Sequence, residues 1–180
     1  MIAHAIHLIS LFSVFALPRA KADELILSSL RAKVTVPSDW RANEGLLGSE
    51  WVLSSPMVNG KRISLQLNTL ENNPKAISEE NFSRISGNFR TGRLKWANSR
   101  KLEVVGFKEP IQLKRDGIDR AVRYEWSYRY SENAFSEVSE YIFCRTGIYH
   151  LKAVIPDRVT QKSSKSEDQV RQAMGSFRCG

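Results

Sequence analysis

Residues 121–130, AVRYEWSYRY, place Val122, Tyr124, Trp126, Tyr128 and Tyr130 in strict alternation with Arg123, Glu125, Ser127 and Arg129. A period of two belongs to an extended strand, whose successive side chains point to opposite faces of a sheet. So many rings on one face call for cover, because buried aromatic area is among the largest single contributions to a core. The chain must therefore hold a sheet with a layer packed on it. The other use of such a face is a stacking platform for single-stranded nucleic acid, which needs exposed rings beside positive charge. Here rings and arginines project from opposite faces. That favours a core strand over a binding face and argues against a nucleic-acid partner. Tyr128 and Tyr130, nearest the strand end, stand as candidate aromatic contacts at the surface.

The flanking segments supply the rest of the sheet and its cover. LRAKVTVPSDW alternates at Ala32, Val34 and Val36 and stops at Pro37, a first strand with its terminator. SEWVLSSPMVNGKRISLQLNTL reads as two strands joined at Asn59-Gly60, a dipeptide that tolerates positive φ in a tight turn. Pro56 marks the first of these as an edge or a bulged strand. The period then changes. Ser78 is a helix cap with Glu79 and Glu80 in the first turn, and Phe82, Ile85, Phe89 and Trp96 follow at helical spacing, with Gly87 and Gly92 as weak points. From Lys101 the signal is almost all strand: LEVVGF, PIQLKR, the aromatic strand, EVSEYIFCR after a short SENA link, and IYHLKAVIP after Thr146-Gly147. A last helix is capped by Ser166, opens with Glu167 and Asp168, and carries Val170, Ala173, Met174 and Phe177 as an apolar stripe. This order predicts an α+β fold, an α/β/α sandwich with a mostly antiparallel central sheet and two main helices, as a single domain over residues 23–180.

The first residues address location. IHLISLFSVFAL is an apolar run of about a dozen residues, too short to cross a bilayer comfortably. PRAKA follows, with Ala20 and Ala22 in the small-residue positions of a cleavage site, so residues 1–22 read as a signal peptide; the rival is an uncleaved N-terminal anchor. Cleavage after Ala22 leaves 25 basic against 19 acidic side chains. No second apolar run is long enough to span a membrane, so the expectation is a periplasmic or secreted protein. Cys144 and Cys179 both lie beyond the leader. In an oxidising compartment they read as one disulfide, with two independent thiols as the alternative.

Three features together resemble the PsbP-like superfamily of photosystem II extrinsic subunits and their bacterial relatives. They are the opening strand closed by proline and tryptophan, AKVTVPSDW, the late hairpin EYIFCRTGIYHLKAVIP, and the terminal helix ending in Ser176-Phe177, VRQAMGSF. The resemblance implies an α/β/α sandwich and a non-catalytic role as assembly factor, adaptor or accessory subunit. It carries no functional residue to this sequence.

Candidate sites come from charge. Arg84, Arg90, Arg93, Lys95, Arg100 and Lys101 gather around the first helix and could dock on a protein partner or an anionic envelope component; the alternative is a solvated helix face. His150 alone remains after the leader's histidines are removed, and a nucleophilic triad would have to use it; a structural role is the expectation. No His or Cys cluster has metal-ligand spacing, no glycine-rich phosphate loop exists, and no cofactor is expected. Asp116 and Asp119 sit in a turn and need no cation there. Paired catalytic carboxylates stay open, since contact between strands is invisible in sequence. The reading is an exported, non-catalytic binding protein of the bacterial envelope, with an enzyme inhibitor or immunity-type protein and a small carboxylate hydrolase as alternatives.

Overall fold

The computed structural model describes residues 22–58, 60–157 and 164–180; the predicted leader, but for Ala22, and the turn residue Asn59 lie outside them. Eleven strands and three helices make up the described chain. In order they are β1 (Ala22–Leu27), β2 (Ala32–Pro37), β3 (Arg41–Glu44), β4 (Trp51–Ser54), β5 (Ser64–Glu71), α1 (Glu79–Gly87), α2 (Phe89–Arg100), β6 (Glu103–Phe107), β7 (Ile111–Leu113), β8 (Arg120–Tyr130), β9 (Asn133–Cys144), β10 (Gly147–Pro156), α3 (Ser164–Gly175) and β11 (Arg178–Cys179). Eight strands form one antiparallel sheet in the order β3-β4-β5-β10-β9-β8-β6, with β7 also on β8, and β1-β2-β11 form a second, small sheet.

The large sheet is covered on both faces. On one face Phe82 of α1 and Phe89 and Ala97 of α2 pack with Val122, Trp126, Tyr128, Tyr141 and Ile148 of the sheet. On the other face Leu65, Leu67, Leu151, Ala153 and Ile155 meet Leu27, Val34 and Val36 of the small sheet and Val170, Met174 and Phe177 from the α3 end. The aromatic strand is thus a core strand, with Trp126 fully buried. The opposite face of β8 holds charge in pairs. Glu140 of β9, fully buried, accepts from Arg115 (2.6 Å) and twice from Arg123 (2.7 and 2.9 Å), and Arg115 also donates to Met174 O at the end of α3 (3.0 Å).

Several expectations are corrected. The first helix is two: Asn88, with φ −79° and ψ 0°, breaks the chain after Gly87, whereas Gly92 sits inside α2 without ending it. Ser78 caps α1 as expected, accepting from Asn81 N–H at 3.1 Å. Helix α3 starts at Ser164, two residues ahead of the predicted cap Ser166, whose side chain lies outside the described residues. β4 ends at Ser54, ahead of Pro56, and runs between β3 and β5, so it is neither an edge nor bulged by the proline. The turn before β10 is Arg145-Thr146, since Gly147 already pairs with Cys144. Gly147 is needed for closeness rather than for the turn: a Cβ there would stand 2.9 Å from Glu71 O and 3.0 Å from the Tyr149 ring. Cys144 and Cys179 form a disulfide that ties β11 to the end of β9, with Cα atoms 6.4 Å apart.

Candidate functional site

Helix α2 ends on a left-handed residue. Lys101 N–H bonds to Asn98 O (3.2 Å) and Leu102 N–H to Ala97 O (2.9 Å), the two reverse bonds that close a helix in this way. Glycine ordinarily occupies the position; here Lys101 does, at φ 55° and ψ 42°, at a cost of about 1–2 kcal/mol for a residue with a Cβ. Facing it is the end of the β8–β9 hairpin, where Tyr130 pairs with Asn133 around a Ser131-Glu132 turn. Between the two lies an open cleft of about 570 Å³, lined by Trp96, Ser99, Arg100, Lys101, Leu102, Tyr128, Tyr130 and Phe135.

Its floor is aromatic and rigid. Phe107, Trp126, Tyr128 and Phe135 stack in a column, with successive centroids 5.4, 4.7 and 5.3 Å apart. Trp96 stands edge-on to Trp126 (6.0 Å) and Tyr128 (5.5 Å). Burial first, then the charge of Glu137, pushes the Tyr128 phenol up to about 12, so it stays neutral. Two rings reach solvent, Trp96 at 38% and Tyr130 at 58% exposure. Lys61 lies over the Phe135 ring at 6.0 Å and is hydrogen-bonded to Asn133. Neither Arg100 nor Lys101 has a carboxylate within 4.0 Å among the described residues, whereas the neighbouring Arg129 is paired with Glu103 at 3.0 Å.

The six cations singled out in the sequence do not share one face. Arg84 donates to Asn81 (2.6 Å) and Arg90 lies over the Phe107 ring at 5.1 Å. Arg93 turns inward, its Nε 2.7 Å from Glu137 Oε1, off-line for a hydrogen bond but close enough for an ion pair. Lys95 is exposed. Arg100 and Lys101 line the cleft with Tyr128 and Tyr130; of the two rings expected at the surface only Tyr130 is exposed, Tyr128 being buried in the floor under α2. Sequence reasoning missed Phe135 and Lys61 here and assigned Trp96 to the helix stripe. The β6–β8 pairing that brings them together spans Glu103 to Arg129 and leaves no local signal.

Beneath α2, Ser139 Oγ–H donates to Glu137 Oε1 (2.9 Å) and lies 3.1 Å from His150 Nε2. The hydroxyl proton being committed to the carboxylate, Nε2 is the nitrogen that carries hydrogen, so the imidazole cannot act as base toward the serine. Burial, then the charges of Arg93 and Lys152, pushes His150 down to about 3. Ser139 is fully buried. The arrangement ties β9 to β10 and presents nothing to a substrate. Glu125 is held ionised: burial alone would raise its pKa, but hydrogen bonds from Lys108 and Arg171 outweigh it and lower the value. No group of three or more His, Cys, Asp or Glu among the described residues is placed to hold a metal ion, and no described helix is long and apolar enough to cross a membrane.

One antiparallel sheet covered on both sides, with an open groove at the end of a helix, defines an α+β sandwich domain. No protein-family model matches the sequence, and no curated protein sequence does. Solved structures give the particular fold. The cyanobacterial PsbP, CyanoP, from Synechocystis sp. PCC 6803 is similar over 94% of this chain and 99% of its own, with a TM-score of 0.58 at 12% identity. LpqN of Mycobacterium tuberculosis, a protein involved in cell envelope biogenesis, is similar over 82% of each chain, with a TM-score of 0.53 at 14% identity. The fold is PsbP-like.

Proposed function

We propose that this protein is an exported, non-catalytic accessory protein that recognises a macromolecular partner of the cell envelope through the α2–hairpin cleft. One observation carries the reading: Arg100 and Lys101, two cations without an acidic partner among the described residues, stand at the mouth of an open cleft floored by packed rings. Aromatic and arginine side chains are the types that dominate binding at interfaces. A rigid floor is already organised, so little ordering cost attaches to it. The role of LpqN in envelope biogenesis agrees with this reading. Against a hydrolase stand the buried Ser139 and the ion-paired states of Glu125, Glu137 and Glu140.

The test is capture from an envelope extract by the purified protein, at low and high salt, beside an Arg100→Ser/Lys101→Ser variant. Saturable capture of one component, weakened by salt and abolished in the variant, is the expected result. The same component retained by the variant would place recognition elsewhere.

The β3–β4 tip favours a second reading, an inhibitor that enters an enzyme's cleft. Gly45 and Gly48, at φ 67° and 72°, present Leu46 and Leu47 outward, and Leu47 is 76% exposed. Stoichiometric titration of a target enzyme, lost on Leu46→Ser/Leu47→Ser, distinguishes it from a salt-sensitive adaptor.

A further inference from the structure

Resting on the cleft reading, we infer that the occupant is an acidic peptide segment carrying aromatic or large aliphatic side chains, which lays them on Trp96 and Tyr130 while its carboxylates meet Arg100 and Lys101. Three observations converge. The first is charge: the two cations are adjacent, and the described residues offer neither of them a carboxylate. An ammonium and a guanidinium facing open space attract and orient carboxylates.

The second is strain. A lysine occupies the left-handed closing position of α2 although glycine would be the unstrained residue. Its ammonium finds no polar partner in return, for it makes no ion pair or side-chain hydrogen bond to another described residue. Strain retained in this way is a mark of use.

The third is shape, and it selects a peptide over a bilayer. The cleft is concave, and acids stand beside it: Glu132 in the hairpin turn is exposed, and so is Glu103, at 64%, in its pair with Arg129. A flat anionic surface laid over the cleft mouth and the adjoining hairpin turn would meet the exposed charge of Glu132, whereas a single chain need not. The aromatic side chains of such a segment match Trp96 and Tyr130, whose rings are partly exposed above a packed floor.

The probe is a fluorescein-labelled peptide of alternating Glu and Tyr, followed by anisotropy, against its Lys-Tyr counterpart and against phosphatidylglycerol vesicles in a flotation assay. The Glu-Tyr peptide should bind saturably, weaken with salt, and lose affinity roughly tenfold or more in the Arg100→Ser/Lys101→Ser variant. Lys101→Gly is the sharper variant. It should bind the peptide several-fold more weakly while its unfolding midpoint stays equal to or rises above that of the parent. Equal affinity in Lys101→Gly overturns the inference. So does equal binding of the Lys-Tyr peptide, failure of the Glu-Tyr peptide to bind, or binding of vesicles alone. Capture of an envelope component that the double variant abolishes, together with no peptide binding, would refute the peptide and leave the cleft as the recognition site.

Discussion

Truncating Glu140 to alanine isolates the most deeply buried charge among the described residues. The carboxylate is fully buried and takes three hydrogen bonds of 2.6–2.9 Å from two guanidiniums whose side chains are themselves only 10% and 18% exposed. After truncation Arg115 keeps its bond to Met174 O, while the Arg123 guanidinium has no other hydrogen-bond or ion-pair partner among the described residues. Two like charges then face one another across an emptied, poorly hydrated space. Removing one partner of a buried pair costs about 3–5 kcal/mol, mostly because the other charge is stranded. For a domain of this size each kcal/mol lowers the midpoint by about 2–4 °C, so the expected fall is roughly 6–20 °C. Urea unfolding followed by tryptophan fluorescence, with the slope m unchanged, measures it directly. Glu140→Leu combined with Arg115→Met and Arg123→Met should recover most of the loss, since an apolar set of similar volume needs no counterion. A loss below about 1 kcal/mol in Glu140→Ala would refute the reasoning, because water would then be reaching the guanidiniums as it reaches surface pairs.

Three other perturbations have definite signs. Glu125 has a folded pKa below its ordinary 4.5, because Lys108 and Arg171 outweigh its burial; its stabilising contribution is present above the carboxylate range and is lost as pH falls through the folded value. Lys108→Met should therefore flatten the acid limb of a stability-against-pH profile, and an unchanged limb would count against the pairing. His150 is pushed from 6.5 to about 3, so below the ordinary value the unfolded chain takes up a proton that the folded chain refuses, and stability falls as pH drops from 6.5 toward 3. Its ring proton resonances should hold their neutral positions well below pH 6.5; a midpoint near 6.5 would show that the imidazole is solvated. Finally, the disulfide spans 35 residues of sequence. Cys144→Ser/Cys179→Ser should lose about 3–4 kcal/mol in the chain-entropy account. The parent should show no free thiol on labelling, and a reactive thiol in the unreduced parent would refute the bond.

What could be read in the sequence was what repeats along a short stretch. Alternation in IYHLKAVIP puts Tyr149, Leu151, Ala153 and Ile155 on one face of β10, and that in AVRYEWSYRY puts Trp126 among the rings of β8; which cover each face meets comes from the structure, the small sheet and α3 for the first and α1 and α2 for the second. The stripe of α3 was equally plain. Elements without such a pattern escaped. β3 is Arg-Ala-Asn-Glu with every side chain exposed, and β11 is two residues long; each is a strand because a neighbour offers it hydrogen bonds. β1 begins at the residue that closes the expected leader and is the edge of a second sheet that nothing local announces. The cleft shows the same limit. Its two halves, Arg100-Lys101 and Tyr128-Tyr130, were each singled out, but their meeting depends on a pairing between β6 and β8. Arg93 reads as one of the surface cations because a helix position does not reveal a buried carboxylate four strands further along the sequence.

The small sheet has a consequence for the order in which the chain completes itself. β1 and β2 emerge early in synthesis, yet Leu27, Val34 and Val36 are covered by Leu151 and Ile155 of β10 and by Val170, Met174 and Phe177 near the C-terminus. A polypeptide made from its N-terminus must keep these apolar side chains waiting until nearly all of it has been delivered, an interval in which exposed strand edges invite misassembly. A chain stopped before α3 should leave β2 open to proteolysis, and protection of β2 in such a chain would show that the sheet closes unaided. Residues 178–180, bonded through Gly180 N–H to Arg31 O at 2.7 Å and through Cys179 to Cys144, thus act as a fastening: strands made early become stable when segments made much later reach them.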